Sequence, residues 1–258
     1  MQTAWRCSLI LTIIALAAIP TPTRATEEAN KLEIALDMAT MLRSARSVIA
    51  NNQKLINDAT RGDKGLSGGV VLAKAIQIFW KTKGSAPKDF SMTSQYGRLR
   101  KAQMAAIKRV IQDNQRTINQ QGLSFKGFVP AVFTRLVNEE FRRTMGQEAD
   151  IKVTAPPALV RNRKARPDSW EIDIIRTRLS APNWTTGKVY SAEAKNRGRN
   201  AFRVLVPEYY GKGCLTCHGD PKGELDLTGY PKEGGKLGDL GGVISVTLFA
   251  VKPARGAR

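Results

Sequence analysis

One histidine and three cysteines in 258 residues leave this chain little material for metal or acid–base chemistry. The lone imidazole, His218, excludes bis-histidine ligation of iron within one chain and leaves no second histidine to move protons in a peroxidase-type site, so no enzyme is expected. Structural zinc takes four ligands, and two cysteines, His218 and a carboxylate such as Asp220 make a poor set for it. Beyond the N-terminal segment no stretch is apolar enough to span a membrane, which takes about 20 residues. Acidic residues are also scarce, 22 against 41 basic, for a formal net charge of +19. Such a field favours acidic protein partners, anionic surfaces or nucleic acid. The basic residues are scattered over the whole length, and the N-terminus argues for export. An acidic redox or signalling partner is therefore expected, and nucleic acid is not.

The export argument rests on Arg6, the apolar run over residues 8–19, and Thr23-Arg24-Ala25 as a small-x-small cleavage site. Residues 1–25 read as a signal peptide and the mature protein as periplasmic, without a membrane span. Retention of the leader as an anchor is the alternative.

Residues 26–121 read as a helical region built on an internal repeat. An apolar seam runs through Met38, Leu42, Ala45, Ile49, Asn52 and Ile56 in steps of four and three, and it returns 62 residues later at Met104, Ile107, Ile111, Asn114 and Ile118. Aligned without gaps, residues 46–79 and 108–141 share ten identities, among them Gln53 with Gln115, Lys64 with Lys126, and Gly65 with Gly127. Each copy reads as helix, Lys-Gly turn, helix. The simplest expectation is a duplicated hairpin whose copies pack together. A sharper one has Asn52 and Asn114 meeting across the seam to fix register, as a lone polar residue does in a coiled coil. A homodimer through the same helices is the competing geometry. Residues 84–97, with Pro87 and several serines, read as a connector.

Residues 122–258 change character. Residues 150–154 alternate like a strand, Asp168-Ser169-Trp170-Glu171 opens a short helix through Leu179, and residues 188–194 and 201–206 form a hairpin about Asn196-Arg197-Gly198. A glycine-rich loop over residues 229–242 precedes a last strand at 243–249. The fold class expected is α+β: a helical first half, then an antiparallel sheet with flanking helices.

Gly213-Cys214-Leu215-Thr216-Cys217-His218-Gly219 carries the chemistry. Cys-x-x-Cys-His is the spacing for covalent haem c: two thiols three positions apart each add to a vinyl group, and the adjacent imidazole meets the iron. Competing readings are a thiol redox pair, a zinc half-site or a disulfide. A redox pair usually opens a helix within a βαβ unit, whereas Gly219-Asp220-Pro221-Lys222-Gly223 reads as a turn. Ordinary small cytochromes c place the motif near the N-terminus with a methionine after it, and here no methionine follows His218.

The second half resembles the exported c-type-haem domains with a PAS-like fold, long catalogued as a domain of unknown function and found as the sensing part of bacterial signalling proteins. The resemblance rests on blocks in order: Lys126-Gly127-Phe128-Val129-Pro130-Ala131, Lys152-Val153-Thr154-Ala155-Pro156, the run from Leu159 to Asp168 with Trp170-Glu171, Pro207-Glu208-Tyr209-Tyr210, the Cys214 to Pro221 motif, Gly229-Tyr230-Pro231, and Gly241-Gly242-Val243-Ile244-Ser245-Val246. It covers about residues 122–249. It implies one haem held by Cys214, Cys217 and His218 against a curved antiparallel sheet, in a domain that senses redox state or a small gas. No output segment of the signalling members is seen after Phe249, so a signal is expected to leave by contact or by electrons.

The sixth iron ligand separates a sensor from a soluble electron carrier. The resemblance implies that some relatives draw it as a cysteine from the helix before the first strand; the corresponding helix here has no cysteine, with Phe133 near the expected place. The remaining candidates are Met145, Met104, Met92, Met41 and Met38, or a lysine, a tyrosine or water. The expectation is an open or exchangeable site. Arg161, Arg163 or Arg166 are candidates to pair with haem propionates, Tyr209 and Tyr210 to pack on the macrocycle edge, and Trp170 to fill the core.

Overall fold

The structure is a computed structural model, and it describes residues 24–85 and 93–250. The signal-peptide reading therefore falls almost wholly outside the described residues, as does Met92. No helix among them is long and apolar enough to cross a membrane.

The repeat governs the helical half. Helix α1 (Arg24–Asn51) breaks at Asn52, turns into α2 (Gln53–Ile56), passes the Lys64-Gly65 turn and continues as α3 (Gly68–Lys83). The second copy follows the same course: α4 (Gln95–Asp113), α5 (Gln115–Ile118), the Lys126-Gly127 turn and α6 (Pro130–Met145). Gly65 and Gly127 hold φ of 63° and 67°, a conformation that favours glycine. Helix α4 starts at Gln95 because the Ser94 hydroxyl accepts from the Gly97 amide, so the connector is shorter than the 84–97 the sequence suggests.

The copies pack as a pseudo-twofold pair, and its polar bonds are reciprocal. Gln53 Nε2 donates to the Phe128 carbonyl at 3.1 Å, and Gln115 Nε2 to the Leu66 carbonyl at 2.9 Å. The Lys64 amide donates to Asn119 Oδ1 and the Lys126 amide to Asn57 Oδ1. Both lysines are buried, with their ammonium groups on main-chain carbonyls: Lys64 on Asp58 and Arg61, Lys126 on Ile56 and Asp58. Burial, with the Lys64 charge adding, pushes Lys126 below the ordinary lysine pKa.

Asn52 and Asn114 do not meet. Each Nδ2 donates at 2.7 Å to the carbonyl four residues earlier in its own helix, Val48 or Val110, and so marks the break between two helices. The register role expected of the asparagines falls to Gln53, Gln115, Asn57 and Asn119. Their side chains reach the other copy because they lie just past the break, where the chain turns across.

The second half is a four-stranded antiparallel sheet, giving the α+β fold. The strands are β1 (Ala149–Thr154), β2 (Tyr190–Asn196), β3 (Arg199–Tyr209) and β4 (Leu240–Phe249), in the order β1-β4-β3-β2. The two-residue turn Arg197-Gly198, with φ of 52° and 76°, joins β2 to β3. Alternation decides the faces. Ile151, Val204, Val206, Ile244 and Val246 share one core with Met38, Leu42, Ile49, Ile107 and Phe141, so the helical half and the sheet bury each other. The opposite face, with Leu205 and Val243, is partly covered by α7 (Ser169–Ile174), which widens into a π-helical turn ending at Leu179. Asp168 and Glu171 form a complete capping box at its start. Trp170 is half-buried beside Tyr190, with the buried Arg203 guanidinium 4.2 Å from its ring.

Truncation of the cross-copy donors tests this account. Gln53→Ala and Gln115→Ala should each cost about 1–2 kcal/mol by leaving a carbonyl unpaired, and Asn52→Ala less than either, in urea denaturation of the full chain. An Asn52→Ala loss larger than both would restore the asparagine as the register residue.

Candidate functional site

All the chemistry-bearing residues singled out by spacing sit in the crossing from β3 to β4, residues 210–239. Two constraints aim it. The pairing of β3 with β4 slips between Glu208 and Tyr209, which re-aims the chain as it leaves the sheet. Glu208 is itself held by the Arg43 and Arg46 guanidinium groups of α1, and Arg43 also donates to the Pro207 carbonyl at 2.7 Å. The helical half thus anchors the last rung of sheet before the motif.

Beyond Tyr210 a 3₁₀ turn (Lys212–Cys214) leads into α8 (Leu215–His218). Cys214 is exposed and Cys217 half-buried, both as free thiols. Burial pushes the Cys217 thiol up, and the nearby Asp226 charge adds to it. The rest of the crossing folds back over the motif: the Gly235 amide donates to the His218 carbonyl at 2.7 Å and the Gly234 amide to the Gly219 carbonyl at 3.1 Å. Tyr210 closes the loop at its base, donating to the Asp239 carbonyl and accepting from Gly238, each at 2.9 Å.

His218 is held on two sides. Its ring stacks on Tyr210, centroids 5.2 Å apart and 18° between planes, and its Nδ1 lies 2.9 Å from Glu233 Oε2. Glu233 in turn meets Arg161 along both edges, Nε to Oε1 at 2.6 Å and Nη2 to Oε2 at 2.9 Å. The same guanidinium donates to Asp226 Oδ2 and to the Cys217 carbonyl, each at 2.7 Å. Burial raises Glu233, but the bonds from Arg161 and His218 outweigh it and hold the carboxyl below its ordinary value. Asp226 is wholly buried; burial opposes its charge, yet the Thr228 hydroxyl and amide, Arg161 and the Tyr230 amide hold it well below the carboxylate range.

Tyr210 fits only because two neighbours lack a side chain. A Cβ on Gly241 would lie 2.1 Å from its ring and one on Gly235 2.4 Å. Its hydroxyl is buried with no partner, and burial, with Glu233 adding, pushes its pKa up to about 12. Four large apolar side chains stand exposed on the same crossing, Leu225, Leu227, Tyr230 and Leu237.

The other residues considered from sequence lie elsewhere. Met38 and Met41 are buried in the helical core, Met104 and Met145 pack against it, and Phe133 is buried there in edge contact with Phe128. Arg161 reaches the motif, but all three of its nitrogens are taken by the protein, so it is scaffold rather than a free cation for a propionate. Arg163 and Arg166 are exposed. Tyr209 donates no packing to His218; its hydroxyl accepts from the Gly187 amide at 3.2 Å. Glu233 and Asp226 went unread because a single carboxylate in a glycine-rich loop carries no spacing signal. Among the described residues no group of three His, Cys, Asp or Glu is arranged to hold a metal ion. A separate cavity of about 200 Å³ on the outer sheet face is lined by Asp150, Lys152, Glu171 and Ser245 among others, and its charges are paired internally, Lys152 with Glu171 and Asp150 with Arg142 and Arg197.

Fold and site together define a protein in which a helical repeat buttresses an antiparallel sheet, and a Cys-x-x-Cys-His turn is locked over the end of that sheet. The chain belongs to the Tll0287-like family, whose model matches residues 24–248. The match takes in the helical repeat, so the likeness first drawn from residue 122 onward extends through the first half. Among solved structures it is similar to the one titled as the cyanobacterial heme-protein Tll0287, at 15% identity over 62% of this chain and 100% of that one, with a TM-score of 0.39. No curated protein matches.

Two measurements probe the lock. Gly241→Ala should displace Tyr210 and cost about 1–3 kcal/mol, whereas Gly211→Ala, where a Cβ meets nothing, should be near neutral in the same denaturation assay. Asp226, depressed in the folded state, contributes stability above its unfolded pKa of about 3.9 that is lost as pH falls through the folded value. Asp226→Asn should cost about 3 kcal/mol at pH 7 and flatten the loss of stability below about pH 4; an unchanged acid slope would show that Asp226 does not carry it.

Proposed function

We propose that this protein is an exported, periplasmic mono-haem c protein that senses redox state or a small gaseous ligand. Cys214 and Cys217 are the thioether attachment points and His218 is the iron ligand. The observation that carries the reading is the motif's geometry: Glu233 only accepts, so the proton of His218 sits on Nδ1 and Nε2 keeps its lone pair for the iron. The residues around it suit the group as well. Exposed Leu225, Leu227 and Leu237 offer an apolar surface for the macrocycle, and the orphaned Tyr210 hydroxyl offers a donor to a propionate.

When bound, haem supplies a one-electron couple and an iron that takes diatomic ligands. The chain's part is to orient His218 through Glu233 and Tyr210. The sensing reading is favoured because Met38, Met41, Met104 and Met145 are committed to the helical core, away from the motif. An electron-transfer cytochrome is the second reading, favoured by the exposed lysines Lys212, Lys222 and Lys236 flanking the motif, which suit an acidic partner. We do not assign an enzymatic reaction to the site.

Expressed with c-type haem maturation in the periplasm, the chain should carry haem that survives denaturing electrophoresis. The Cys214→Ala, Cys217→Ala double variant should lose it. Reduced protein should then bind carbon monoxide rapidly and completely by absorption spectroscopy. Absence of covalent haem would overturn the assignment, and no carbon monoxide binding with fast reversible electron exchange would leave the carrier.

A further inference from the structure

The carboxylate on His218 is the least expected feature of the site. A half-buried imidazole needs only a neutral acceptor at Nδ1 to fix its tautomer, and backbone carbonyls are abundant in this crossing. The structure supplies Glu233 instead, at 2.9 Å, and builds a scaffold to keep it there: Arg161 grips both carboxylate oxygens and is itself steadied by Asp226 and the Cys217 carbonyl. Tyr210, seated in the space left by Gly235 and Gly241, sets the plane of the imidazole, so Glu233 needs only to set its rotation and its electron density.

We infer that Glu233 is a positioning residue that makes His218 a stronger donor and so holds the iron toward the ferric state. The inference rests on the haem reading above. An anionic acceptor pulls the Nδ1 proton partway toward itself and raises the electron density at Nε2. A more basic ligand stabilises ferric iron more than ferrous, which lowers the reduction potential. Arg161 tempers the effect by sharing the carboxylate's charge, and it prevents Glu233 from swinging out to solvent.

The test uses full-length holoprotein and spectroelectrochemical titration, with haem content measured alongside. Glu233→Gln keeps the length and an acceptor oxygen but removes the charge. It should raise the ferrous-to-ferric ratio at fixed potential tenfold or more, equivalent to 59 mV for one electron. Glu233→Asp, which keeps the charge but shortens the reach, should fall between the two. Glu224→Gln removes the same charge from the same crossing, at an exposed residue paired with Lys232 and not with His218, and should shift the ratio less than twofold. Equal shifts in Glu233→Gln and Glu224→Gln would reduce the effect to net charge and overturn the inference. So would a haem-loaded Glu233→Gln with the wild-type potential, or, if that variant fails to load, a haem-loaded Glu233→Asp with it. Wild-type protein without haem would instead overturn the reading on which this one rests.

Discussion

A single guanidinium organises the candidate site. Arg161 comes from the segment between β1 and α7, far from the motif in sequence, and spends every nitrogen on the β3–β4 crossing: Nε and Nη2 on Glu233, Nη1 on Asp226, with Nη2 also donating to the Cys217 carbonyl. Those bonds tie together three parts of a thirty-residue excursion that has little apolar surface of its own to bury. The excursion holds one isolated bridge, Leu225 to Pro231, and a series of turns. A half-buried cation between two carboxylates is costly to assemble unless it is well paired, and here each of its three nitrogens donates to the protein. The order of His218 therefore depends on Arg161 at one remove.

The helical half reaches the same site from the other side. Its pseudo-twofold packing makes α1 the element shared between the repeat and the sheet, and α1 places Arg43 and Arg46 on Glu208, one residue before the point where β3 slips its register. The duplication is thus more than a spacer. Reciprocal bonds from Gln53 and Gln115 lock the two copies, and the shared core with Val204 and Val246 fixes the sheet against them. That continuity agrees with a family match running through both halves.

Much of this was legible in the residues. The seam from Met38 to Ile56, its return at offset 62, the Asp168–Glu171 cap, the Arg197-Gly198 hairpin and the last strand all follow from periodicity and turn chemistry, because those signals act over a few residues. The asparagines misled. A polar residue in an apolar row reads equally as an interface contact or as a helix break, and only the backbone angles at Asn52 separate the two. The methionines offered as ligands were equally ambiguous, since a thioether on an apolar seam looks the same whether it faces a core or a metal; four of the five lie in or against the helical core.

The sequence by itself determined that two thiols and an imidazole stand together, since at this fixed spacing they are adjacent whatever the fold, and it determined the α+β division, since hydrophobic period is local. Only the tertiary structure decided what surrounds the imidazole. Glu233, Arg161 and Tyr210 are brought to His218 by a crossing that folds back on itself and by an arginine from another strand connection. No local pattern encodes such meetings, because the energy that favours them, paired charge under partial burial and a ring seated over two glycines, exists only once the chain has closed.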